Sequence, residues 1–225
     1  METAIRLKSL TEQVHDHLSE AIIEGKFKAG ERLLENDLCR QFSISRSPLR
    51  ECFRILESEG LVIINPRKGT TVKQLTSKEL NEVFPVRASL ESLAAKLAIP
   101  NIGEKEIQLL NDLIKEMAEA LKKRDIRSFL WSNHDFHSTI IKSAKNQLLG
   151  NILKNLGKGL WLRISFLYYQ SQQELIFSNE THKKIVNAFT NKDAANVQKL
   201  LQEHIVHAGQ YLLMTMNRNN SISSS

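Results

Sequence analysis

Cysteine is scarce in this 225-residue chain: there are two, Cys39 and Cys52, so no disulfide framework holds it together. Both fall in one short stretch, and the expectation is two reduced core thiols in a cytoplasmic protein. Long hydrophobic runs are absent too. No stretch of 18 apolar residues occurs, which excludes a membrane-spanning helix from the reading. The opening METAIRLKSL lacks the apolar core of an export signal. Beyond residue 76 no strand pattern appears. An excess of one charge is missing where it would be most informative: residues 1 to 75 carry 12 basic and 11 acidic side chains, and the remainder carries 19 and 14. The net charge of +6 therefore sits mostly in the second half.

Charge placement in the first half is more telling than its sum. From Ser43 to Lys73 there are six basic residues against three acidic ones. That region lies inside ERLLENDLCRQFSISRSPLRECFRILESEGLVIINPRKG, residues 31–69. Leu34, Leu38 and Phe42 set a short helix, and Ser43-Ile44-Ser45 a polar turn. Leu49, Phe53 and Leu56 set a second helix that Gly60 stops. The apolar run Leu61-Val62-Ile63-Ile64 and the basic turn Pro66-Arg67-Lys68-Gly69 then predict a hairpin. Helix, turn, helix and hairpin is the order of a winged helix-turn-helix, whose second helix enters the DNA major groove. Arg46, Arg50 and Arg54 recur every four residues and share one helix face. Guanidinium groups suit both phosphates and the guanine edge.

SRSPLRECFRILESEGLV resembles the signature of the GntR family of bacterial transcription regulators, with Leu33-Leu34-Glu35 and Arg67-Lys68-Gly69-Thr70-Thr71-Val72 matching as well. That resemblance covers about residues 9 to 75. It implies that Ser45, Arg46, Ser47, Pro48 and Arg50 open the recognition helix and that Asn36 lies near the phosphates. Arg67 and Lys68 would sit in the wing. One recognition helix reads too few bases for genomic specificity, so a homodimer on a near-palindromic double-stranded operator is expected.

The rest of the chain reads as helix, so the fold class is mainly α: a winged helix-turn-helix at 1–75, an all-α six-helix bundle at 76–216 and a disordered polar tail at 217–225. Thr76-Ser77-Lys78-Glu79 fits a capping box. Leu80, Val83, Val86, Leu90, Leu93 and Leu97 make the first apolar face, with Pro85 expected to kink or restart that helix. Ile107 to Leu121 make the second helix, and a third runs from about Ile126 to Ala144. A fourth runs from Leu148 to about Tyr169 and a fifth from Leu175 to Thr190. The last starts at the N-cap Asp193 and reaches Met216.

Five of the seven histidines lie after residue 130. Asn133 and His137 share a face of the third helix, His182 lies early in the fifth and His204 midway along the sixth. Three imidazoles and an oxygen donor would suit Zn²⁺ or Ni²⁺. Spacing alone equally allows separate surface or hydrogen-bonded histidines. Here a second resemblance enters. Asn133-His134-Asp135-Phe136-His137 is similar to the [D/N]-x-x-F-H motif of the FCD ligand domain of the FadR subfamily. Ser143 to Leu149 follow as its small-residue turn, and Glu180 to Phe189 and His204 continue its order, with Thr181 as an extra residue before His182. The resemblance implies the metal ligands Asn133, His137, His182 and His204. Many relatives have aspartate at the first of these positions. His134 and His207 correspond to no ligand of the motif.

Arg87-Ala88-Ser89-Leu90-Glu91 resembles the R-x-x-L-E segment of the same domain, which implies that Arg87 meets a small organic-acid effector. The alternative for Arg87 is an ion pair with Glu91 one turn away. Arg163, on an otherwise apolar stretch, is a second effector-binding candidate. The expected protein is not an enzyme. A metal-dependent hydrolase is one competing reading, but neither Asp135 nor Glu203 is placed as a general base. A constitutive DNA-binding protein with a purely structural helical domain is the other.

Overall fold

The computed structural model describes residues 8–74, 76–156, 165 and 171–222, with side chains to Arg218. The chain divides into two compact units, with the break between Gln74 and Leu75.

In the first unit, α1 (Leu10–Ile23) opens on a reciprocal capping box between Ser9 and Glu12. β1 (Arg32–Leu33), α2 (Glu35–Phe42) and α3 (Arg46–Ser58) follow, then β2 (Val62–Asn65) and β3 (Gly69–Val72). Ser43, in the left-handed region at φ 53°, ends α2, and Ile44 after it is buried. Gly60 at φ 74° ends α3, while the Leu61 amide reaches back to the Leu56 carbonyl at 2.9 Å. Leu18 and Ile22 of α1 meet Leu49, Cys52, Phe53 and Leu56 of α3 in the core, all buried. Two details depart from expectation. Arg32–Leu33 adds a third strand, pairing antiparallel with β3 to give the order β1-β3-β2. That pairing buries Leu33 and turns Leu34, expected in the core, half out to solvent.

Both thiols are free. Cys52 is fully buried, and burial pushes its thiol up to about 12, so it is inert. Cys39 is only half-buried.

The second unit contains α4 (Ser77–Ala98), α5 (Glu104–Lys123), α6 (Ile126–Ser143), α7 (Gln147–Asn155), α8 (Gln172–Thr190) and α9 (Ala194–Ile222). The capping box at Thr76 and Glu79 is present in both directions. Asp193 caps α9 through the Asn196 amide. α9 runs along α4, α5 packs on α6 and α8, and α4 also touches α6 and α7.

Pro85 neither breaks nor restarts α4, because it sits on the exposed side where its missing N–H costs least. The buried face of α4 is Leu80, Phe84, Ala88, Glu91, Ala94, Ala95 and Ala98, while Val86 and Leu93 are turned outward. The inner face is thus rotated from the expected stripe, because α4 packs against α9 on one side and α6 and α7 on another. At Gly209 of α9 an added Cβ would lie 2.5 Å from the Phe84 ring. α7 ends at Asn155 rather than near Tyr169, with Leu156 as its cap. Residues 157–164 and 166–170, including the candidate Arg163, lie outside the described residues. The stretch from Asn217, expected to be a disordered tail, instead continues α9 to Ile222. Ser77 ties it down by donating to Asn217 Oδ1 at 2.9 Å, and no proline or glycine interrupts it.

Candidate metal centre and candidate nucleic-acid interface

Three histidines on three helices converge inside the second unit. His137 of α6, His182 of α8 and His204 of α9 are at most 5% exposed, and their ligating atoms all lie within 4.8 Å of one another. The His137 and His204 rings stack with centroids 5.4 Å apart, and His182 sits edge-on to both. Phe136 closes the group against His182 at 4.3 Å. Each histidine is placed by ordinary helix periodicity: Phe136, His137 and Ile140 form the buried stripe of α6, and Val197, Leu201, His204 and Ile205 that of α9.

The protonation of the group follows from its burial. Burial first, then the neighbouring imidazoles, hold His182 well below the usual histidine range. Burial first, then His137, lowers His204 to about 3. Both rings are therefore neutral at pH 7 and able to offer a lone pair.

The residues fit a divalent cation on three counts. His182 Nε2 and His204 Nε2 face each other at 3.1 Å. Two nitrogens bound about 2.1 Å from one ion at ordinary coordination angles stand about 3.0–3.4 Å apart. Asn133 Oδ1 is buried without a hydrogen-bond partner, and an orphan acceptor there demands an explanation. The donors in the set are imidazole nitrogens and an amide oxygen, a borderline set that suits zinc or nickel. Asn133 stands one turn before His137 on α6, on the same helix face.

The expected effector residue Arg87 is placed differently from a free clamp. Its Nε donates to Glu91 Oε1, and the pair is largely buried. Glu91 Oε2 lies 2.8 Å from His137 Nδ1, a close contact whose angles fall outside those of a hydrogen bond. Burial works to raise the Glu91 carboxyl, but Arg87 and then His137 outweigh it and bring it to about 2. Glu91 was legible only as an intrahelical partner of Arg87. The overlooked signal is its spacing with Ala88, Ala94 and Ala95 on one face of α4, where a carboxylate must find a buried partner. His207 stands apart from the cluster, with Nε2 2.8 Å from Glu174 Oε2 and its ring on Phe177. His134 makes an edge contact with Trp131.

The first unit presents the other candidate surface. Ser45 is the N-cap of α3, and Arg46, Ser47, Arg50 and Arg54 form one exposed strip along that helix, with Pro48 half-buried in its first turn. Arg46 Nη2 donates to Asn36 Oδ1 at 3.0 Å. Arg50 makes a forked contact with Glu35, Nε to Oε1 at 3.1 Å and Nη2 to Oε2 at 3.1 Å. Arg67 and Lys68 are exposed in the turn joining β2 and β3, where the Arg67 amide bonds Asn65 Oδ1.

A helix-turn-helix with a three-stranded wing, followed by an all-helical domain, defines a DNA-binding transcription regulator. Residues 10–72 match the bacterial regulatory proteins of the gntR family, and residues 82–207 match the FCD domain. The chain belongs to the GntR family and carries an FCD domain. It is 29% identical over 202 residues to the HTH-type transcriptional regulator YdhC of Bacillus subtilis (strain 168), covering 89% of each chain. It is 35% identical over 136 residues to the gluconate operon transcriptional repressor of Bacillus licheniformis, covering 60% of this chain and 55% of that one. The solved structure of McbR/YncC of E. coli superposes with a TM-score of 0.78 at 25% identity, covering 92% of this chain and 99% of that one. These relatives are transcription regulators rather than enzymes, which sets aside the hydrolase reading. No helix among the described residues is long and apolar enough to cross a membrane.

Proposed function

We propose that this regulator is a homodimeric repressor that releases a near-palindromic operator when a small carboxylate effector binds at a metal in its helical unit. The observation that carries this reading is the convergence of His137, His182 and His204 from three separate helices on one buried point. Asn133, His137, His182 and His204 would hold the ion, and zinc or nickel there would supply open coordination positions to a carboxylate. Because those ligands come from α6, α8 and α9, a bound effector would favour one packing of the three helices over another. A coupling of about 1–3 kcal/mol is typical of such a preference. Few residues separate Val72 from the Thr76 cap, so the sequence offers little slack to absorb a change.

The repressor sense is supported by the gluconate operon transcriptional repressors of Bacillus licheniformis and Bacillus subtilis among its relatives. Assembly is supported by apolar side chains left outside: Val86 and Leu93 on α4 and Leu148 and Ile152 on the adjacent α7 are all at least 40% exposed. Arg87 would meet the effector while keeping its contact with Glu91.

Elemental analysis of the purified protein tests the reading together with operator binding across a panel of small carboxylates. The expected result is about one metal per chain, lost in His137→Ala and His182→Ala together with the effector response, while operator binding persists. Retention of metal and of an unaltered response in either variant would overturn it.

A further inference from the structure

The ligand set Asn133, His137, His182 and His204 carries no negative charge, so a divalent cation would bring two uncompensated positive charges into a buried place. That is costly unless an anion stands nearby. Glu91 stands there. It is 2% exposed, its Oε2 lies 2.8 Å from His137 Nδ1, and its Oε1 accepts from Arg87 Nε. A carboxylate behind a ligating imidazole fixes which ring nitrogen carries the proton. With an ion bound at Nε2, the proton of His137 would sit on Nδ1, the nitrogen that faces Glu91.

We propose that Glu91 is a positioning residue of the metal centre, which aims His137 and supplies the negative charge that the ligands lack, while Arg87 neutralises that charge when no ion is bound. The inference rests on the metal reading above. Arg87 and Glu91 then act in opposite directions on metal affinity: losing Glu91 removes the compensating charge, and losing Arg87 frees that charge for the ion. A pair that merely braces α4 would weaken metal binding whichever partner was lost.

Zn²⁺ affinity of the full chain, measured by competition with a chromophoric chelator, separates these cases. Glu91→Gln is expected to bind Zn²⁺ about 10–100-fold more weakly than wild type. Adding Asn133→Asp to Glu91→Gln returns a carboxylate to the centre and should recover at least about tenfold of that loss. Arg87→Gln should bind Zn²⁺ more tightly than wild type and show a larger Zn²⁺-induced rise in Tm. Wild-type affinity in Glu91→Gln, or no recovery in the double variant, would overturn the proposal while leaving the metal reading intact. Should Glu91→Gln not fold, weaker binding by Arg87→Gln overturns it. A wild-type protein that binds no Zn²⁺ defeats both readings at once.

Discussion

His182 and His204 meet Nε2 to Nε2 at 3.1 Å in the protein interior, and neither ring can take up a proton without paying for a buried charge. The folded state therefore binds fewer protons than the unfolded chain whenever the pH is below the ordinary histidine value of 6.5. Stability from these two rings is complete above that value and is lost as the pH falls toward the folded value, which for His204 is about 3. The slope approaches about 1.4 kcal/mol per pH unit for each ring. Urea denaturation of metal-free protein should thus show stability falling from pH 6.5 to pH 4.5, and His204→Gln should flatten that fall. A pH-independent wild type over this interval would contradict the burial of the pair.

Gly209 of α9 packs directly on Phe84 of α4. A methyl at Gly209 would lie 2.5, 2.7 and 2.9 Å from three atoms of the Phe84 ring, which is itself buried. Glycine to alanine inside a helix ordinarily stabilises by about 1 kcal/mol. Here overpacking of about 1–3 kcal/mol should reverse the sign. Thermal denaturation of Gly209→Ala is expected to show a net loss, and Phe84→Leu should relieve part of it. A gain in Tm from Gly209→Ala would mean that the helices part more easily than their packing indicates.

Local chemistry was legible in the sequence, and packing between distant segments was not. Thr76 with Glu79 and Asp193 with Asn196 announced their helices because caps are local chemistry. The three histidines could be named because motif order survives in sequence. The inner face of α4 could not: Ala88, Ala94, Ala95 and Ala98 carry little hydrophobic signal, and they are inside only through packing against other helices, Ala94 against Ala144, Leu149 and Leu153. Val86 and Leu93 carried the stronger signal and lie outside. Glu91 was legible only as a partner of Arg87 because its second partner, His137, is 46 residues away in sequence. Strand β1 has two residues, too few to alternate, and exists only through its pairing with β3.

Exposed Leu93 and Leu148 offer a direct test of assembly. A charge placed on a surface that is buried between two copies costs several kcal/mol, whereas on a free surface it costs almost nothing. Leu93→Glu combined with Leu148→Glu should shift light scattering from a dimer toward the 25.7 kDa chain and weaken operator binding in parallel. A double variant that stays dimeric would place the interface elsewhere.

The recognition helix supplies the last test. In the free protein Arg46 is held by Asn36 and Arg50 by a fork to Glu35, so both guanidinium groups are exposed yet already oriented on one face of α3. Binding to DNA would exchange these partners for base edges or phosphates, and the two kinds of contact leave different signatures. Loss of a base-reading arginine removes about 1–3 kcal/mol from the specific site and little from other sequences. Loss of a phosphate contact weakens all sequences alike and lowers the salt dependence by about one counterion. Arg46→Ala and Arg50→Ala are expected to show the first pattern, and Lys68→Ala, in the turn between β2 and β3, the second. Fluorescence anisotropy with operator and scrambled duplexes at several salt concentrations distinguishes them. Unchanged operator affinity in the double variant Arg46→Ala, Arg50→Ala would remove this face of α3 from DNA reading altogether.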